Sequence, residues 1–229
     1  MTSGSDGPTV AERSARIVLR PLGNPLPLGF LALAGGTFVV SGLQLAWVPP
    51  EGGHDVALIL IAFVAPLQLV ASVLGFLARD VVAGTGMGVL AGTWLPVGLV
   101  ILRSPPGATS DALGLLLVIA AVAMLVPAAA AATGKLVPTA VLVTTSVRFA
   151  ATGTQQLTAS SAWEDAAAVI GLVLCALAVY AALALALEDS QRQTVLPVLR
   201  RGAGRASLTG NLADQLGHIE REAGVREQL

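Results

Sequence analysis

The stretch ALGLLLVIAAVAMLVPAAAAA, residues 112–132, runs without a single charged side chain. A hydrocarbon core about 30 Å thick is crossed by about 20 such residues in an α-helix. Three residues, Thr133-Gly134-Lys135, separate it from a second apolar run at 136–157. One unbroken helix over both runs would be far too long for a single crossing. The Thr-Gly-Lys break therefore makes them a hairpin of two spans.

The same reading extends outward in both directions. Further runs of spanning length lie at 26–48, 56–78, 82–102 and 166–187. Their breaks carry turn residues: Pro49 to Asp55, Arg79-Asp80, Ser104-Pro105-Pro106-Gly107 and Ser160 to Asp165. The chain is 55% hydrophobic and 12% charged, where a soluble domain of this size carries about 25% charge. One soluble core could not hide that apolar surface, whereas a bilayer accepts it. The expected fold class is an all-α integral membrane protein with six transmembrane helices. A polar cytoplasmic head (1–23) precedes the membrane domain (24–190), and a cytoplasmic tail (191–229) follows it. The head does not fit a secretory leader, because the first apolar run begins after residue 25 and continues to spanning length.

Charge asymmetry sets the expected orientation. With six spans, the head, the second and fourth loops and the tail share one side. They hold Arg13, Arg16, Arg20, Arg79, Lys135, Arg192, Arg200, Arg201, Arg205, Arg221 and Arg226, against Arg103 alone on the other side. The positive-inside rule then places both termini in the cytoplasm and the protein in the cell (inner, cytoplasmic) membrane. The net charge of −1 offers no field for nucleic acid. Cys175 is the single cysteine and reads as a small packing residue; His54 and His218 lie far apart, so no metal set forms. No nucleophile stands beside a base, and no cofactor motif is present, so an enzyme is not expected. In the tail, Leu208, Leu212, Leu216 and Ile219 fall at helical spacing. They read as a solvated tail with nascent helix, or as a helix for a partner or membrane surface.

Three features are candidates for a site. Asn24-Pro25-Leu26-Pro27-Leu28-Gly29 opens the first span. Asn caps a free first-turn N–H, and the prolines sit where their missing donor costs little. The start of a helix also favours anions; a plain cap is the simpler reading. Arg148 is the one charge deep in a span. It lies nine residues from the end of its run, roughly 13 Å at 1.5 Å per residue. Its planar fork suits a carboxylate, and intramembrane charges are functional candidates. Pairing with Asp55, Glu164 or Asp165, or snorkelling, is the structural alternative. Gly84, Gly88 and Gly92 are spaced by four and predict close helix packing, with a pore lining as the other reading.

The opening Asn-Pro-x-Pro-Leu-Gly resembles the signature of the acetate uptake transporter family, the succinate–acetate permeases of the YaaH type. Tyr180 followed by Thr194-Val195-Leu196-Pro197 resembles that family's closing pattern. Gln68 with Ala71 and Ser72, and the stretch from Ala83 to Gly88, resemble two middle sites. The resemblance covers about 24–198. It places a pore-lining position on Leu33 and another near Trp94 or Leu95, and a further family site on Gln68 in the second span. Ala65-Pro66 stands where the family often has Gly-Gly, and Leu185 where it often has an acidic residue.

Together these give a membrane transporter or channel for small monocarboxylates, acetate first and succinate as a further candidate. Anion or neutral acid would pass a narrow apolar constriction. Asn24, Pro25, Pro27, Leu28, Gly29, Leu33, Gln68, Trp94 and Arg148 are the expected path or binding residues. No Asp, Glu or His stands within a predicted span, so protons would travel on the substrate. The resemblance also implies a homo-oligomer, a hexamer, in contact with membrane lipid. A non-transporting membrane scaffold or sensor is the alternative from another class.

Overall fold

The computed structural model describes residues 22–191 and 193–200. Most of the head and the predicted amphipathic segment at 208–219 lie outside the described residues.

Among the described residues six spanning helices follow in order: α1 Leu26–Gln44, α2 Pro50–Leu77, α3 Val81–Arg103, α4 Asp111–Ala132, α5 Leu136–Thr158 and α6 Ser161–Gln191. Each is long and apolar enough to cross a membrane. The predicted hairpin at Thr133-Gly134-Lys135 is present as the turn between α4 and α5.

Several bounds differ from the sequence reading, each for a local reason. α1 stops at Gln44 rather than Val48 because Ala46 takes a left-handed conformation, φ 55°. Ala46 N–H then donates to Leu43 O and Trp47 N–H to Gly42 O, which satisfies the last carbonyls of the helix. α2 starts earlier than expected, because Pro50–Gly52 form a 3₁₀ turn that leads straight into it. Ser161 to Asp165, read as a loop, form the first turn of α6, where the acidic Glu164 complements the helix dipole. α6 therefore has 31 residues, about 46 Å at 1.5 Å each. It outreaches the bilayer core at its polar ends.

Inside α2 the ladder widens to one π turn at Leu60–Val64, just before Pro66. A proline inside a helix has no N–H and pushes against the carbonyl one turn back. The π turn accommodates both effects without breaking the span.

Each helix packs on its sequence neighbours, and α6 returns to α1, so the six close into a ring. The α2–α3 hairpin is tight. A Cβ on Gly75 would stand 2.6 Å from Gly84 N, and Ser72 Oγ donates to Gly84 O at 2.7 Å. Gly84 and Gly88 thus serve helix packing, while Gly92 faces open space. The outer surface is apolar: Leu115, Val122 and Val126 are more than half exposed.

Residues 193–200 fold back as a strap under the bundle. Leu136 N–H donates to Leu199 O (3.2 Å) and Val137 N–H to Val198 O (3.4 Å). Tyr180 Oη donates to Pro197 O at 3.0 Å, and Arg200 pairs with Glu188. Val198 is fully buried.

Candidate functional site

At the end of the ring away from the strap, a cavity of about 170 Å³ opens between the loops after α1, α3 and α5. All six helices wall it, through Gln44, His54, Val97, Leu117, Gln155 and Glu164 in turn. Apolar and amide side chains dominate. Gln156 Nε2 donates to Gln155 Oε1 at 2.8 Å, and Gln156 Oε1 accepts from Ser110 N–H at 2.8 Å. The two amides thereby tie α5 to the α3–α4 loop.

One helical turn deeper, the ring is closed by an apolar waist. Trp94, three residues before Val97, meets Phe149 edge-on, with centroids 6.2 Å apart and planes at 73°. Edge-to-face packing suits the opposite charges of ring rim and ring face. A Cβ on Gly36 would lie 2.9 Å from Val64 and 3.5 Å from Trp94, so α1, α2 and α3 meet there. Leu33 and Phe30 follow on successive turns of α1 and are fully buried.

Gln68 lies beyond the waist, toward the strap. Its Nε2 donates to Gly29 O at 3.4 Å, and Met87 fills the space beside Gly29. Two polar atoms of this inner zone have no protein partner: Gln68 Oε1 and Trp94 Nε1. A buried polar group left unpaired costs about 1–3 kcal/mol. A donor to Gln68 Oε1 and an acceptor oxygen for Trp94 Nε1–H would relieve them.

The helix start carries the expected cap. Asn24 Oδ1 accepts from Leu26 N–H at 3.0 Å, with Pro25 just before the first helical residue and Pro27 in the first turn. Asn24, Pro27 and Leu28 are half-buried at the strap end of the ring. The structure therefore buries Gly29, Leu33, Gln68 and Trp94 in one interior column and leaves Asn24 to Leu28 at its strap end.

Arg148 is buried, 2% exposed, next to this column. Its Nη1 donates to Ser41 Oγ (3.0 Å) and to Ala167 O (2.8 Å). Its Nη2 donates to Gln44 Oε1 at 3.4 Å. The guanidinium occupies the place where a Cβ on residue 171 would stand, so only glycine fits there. Asp55, Glu164 and Asp165 are not among its partners, which corrects the carboxylate-pairing alternative. The reason is depth: Arg148 lies more than two turns below the polar end of α5 and is held there by neutral oxygens.

Phe30, Phe149, Gln44 and Gln155 escaped the sequence reading. Phe149 adjoins Arg148 in the chain, and its face on α5 follows from helical spacing once Trp94 is placed across from it. Gln44 and Gln155 are polar residues inside or beside apolar runs, a signal that was present.

Residues 7–200 match the GPR1/FUN34/yaaH family. The chain belongs to that family. Its fold matches a solved structure, the bacterial acetate channel SatP, with a TM-score of 0.68. The two sequences are 24% identical, and the match covers 77% of this chain and 99% of SatP. Among curated protein sequences none matches this chain significantly. The family's closing pattern now has a physical meaning in this member. Tyr180 holds Pro197 by a hydrogen bond, and the Thr-Val-Leu-Pro run leads into the strap.

Proposed function

We propose that this protein is a channel or transporter that passes acetate and similar small monocarboxylates through the interior of the six-helix ring. The observation that carries this reading is the interior column itself. A vestibule walled by all six helices leads to an apolar waist at Trp94 and Phe149, with unpartnered polar atoms at and beyond it. Family membership and the shared fold with an acetate channel support the substrate class. An apolar waist admits a small, weakly hydrated or neutral acid and resists hydrated ions. Asn24, Pro25, Pro27, Leu28 and Gly29 would shape the inner mouth, Leu33, Gln68 and Trp94 the column. Arg148 would raise the local anion concentration near the vestibule.

The membrane is the cytoplasmic membrane in this reading, with the strap and both termini inside. The basic residues Arg79, Lys135 and Arg200 at the strap end, against Arg103 at the vestibule end, support it. A homo-oligomer, a hexamer by family resemblance, would cover part of the exposed Leu and Val surface. His54 and Glu164 line the vestibule, and Trp94 and Phe149 at the waist do not titrate, so in this reading a proton passes the waist on the substrate. The test is uptake of labelled acetate into proteoliposomes of purified protein, with and without an inward proton gradient. Uptake above that of empty liposomes, faster with the gradient, is expected; uptake equal to empty liposomes would refute the reading.

A further inference from the structure

Arg148 offers five N–H donors and uses three. Both Nη1 hydrogens are taken by short bonds to Ser41 and Ala167. The opposite edge, formed by Nε and Nη2, carries one long contact of 3.4 Å to Gln44 Oε1. That edge is a fork that a carboxylate grips with both oxygens. Gln44 is also part of the vestibule wall, so its amide stands between the guanidinium and the cavity. An amide oxygen has the shape of half a carboxylate but lacks its charge. The charge of Arg148 is thus held in place on one edge and unbalanced on the other.

We infer that Arg148 and Gln44 form a carboxylate-binding subsite at the base of the vestibule, occupied by the Gln44 amide oxygen when no substrate is bound. A small monocarboxylate takes the place of that oxygen on the Nε and Nη2 edge, and Gln44 turns its amide N–H toward the anion. Ser41 and Ala167 keep the guanidinium fixed, so the exchange needs only a rotation of Gln44. Gly171 makes the room that lets the guanidinium sit so close to α6. This inference rests on the monocarboxylate reading of the path and adds where the anion is first gripped.

The test uses full-length purified wild type, Arg148→Gln and Gln44→Glu. Each is titrated with sodium acetate at pH 7 by calorimetry, melted in detergent and assayed for uptake. Saturable binding to wild type is expected, weakened at least about tenfold in both variants, as expected when a charged hydrogen-bond partner is lost or already occupied. Gln44→Glu should melt above wild type, because its own carboxylate satisfies the guanidinium. If Arg148→Gln fails to fold, Gln44→Glu decides alone. Wild-type affinity in Gln44→Glu, a lower melting temperature for it, or no saturable binding by wild type would each overturn the subsite. Binding lost in the variants with no uptake by wild type would refute conduction and leave the subsite standing. Uptake by wild type with unchanged binding in both variants would do the reverse.

Discussion

At the scale of single residues, Asn24 is a helix cap that the proposed path also places at its inner mouth. Its Oδ1 holds Leu26 N–H at 3.0 Å, and losing such a cap costs about 0.5–2 kcal/mol. If the proposed path opens at this helix start, Asn24→Ala should lower the yield of folded protein slightly and acetate uptake much more. Parallel losses in size-exclusion yield and in uptake would reduce Asn24 to a cap. The cap was legible in the sequence, since Asn before Pro at the start of an apolar run has few other uses. The partners of Arg148 were not. Spacing along one helix says how deep a side chain lies but not which neighbour meets it. Ser41 and Gln44 come from α1, more than a hundred residues earlier.

At the scale of elements, helix ends were less legible than helix centres. The apolar runs of α3, α4 and α5 came through within a residue or two, because burial in lipid demands a continuous run. The end of α1 did not, because Ala46 fills a left-handed position usually marked by glycine. Arg79 does the same after α2, with φ 57°. The strap was legible only as a motif of Tyr180 and Thr194 to Pro197. Its physical link is the Tyr180 hydroxyl on Pro197 O. Tyr180→Phe removes that bond, worth about 0.5–1.5 kcal/mol. Hydrogen exchange at Leu136 and Val137, whose N–H groups bond the strap, should accelerate several-fold. Unchanged protection at both amides would show that the strap is held without Tyr180.

At the scale of the whole molecule, the sequence carried the number of spans but not the closure of α6 on α1. Ring closure depends on which faces pack, and an apolar helix in a bilayer shows little amphipathic signal to read. Orientation is an expectation from charge alone: six spans would put the head, the second and fourth loops and the tail, with eleven basic residues, opposite the loop that carries Arg103. Reporter fusions after Pro197 and within 104–110 should report cytoplasm and exterior respectively. The reverse pattern would turn the vestibule toward the cytoplasm. The central claim is that acetate crosses through the ring interior. Leu33 is fully buried beside the waist, whereas Val126 is 66% exposed on the outer surface. The most direct measurement compares labelled acetate uptake by wild type, Leu33→Trp and Val126→Trp in proteoliposomes, using protein that keeps its size-exclusion profile. The interior path predicts uptake near that of empty liposomes for Leu33→Trp and wild-type uptake for Val126→Trp. Wild-type uptake by a folded Leu33→Trp protein would contradict it.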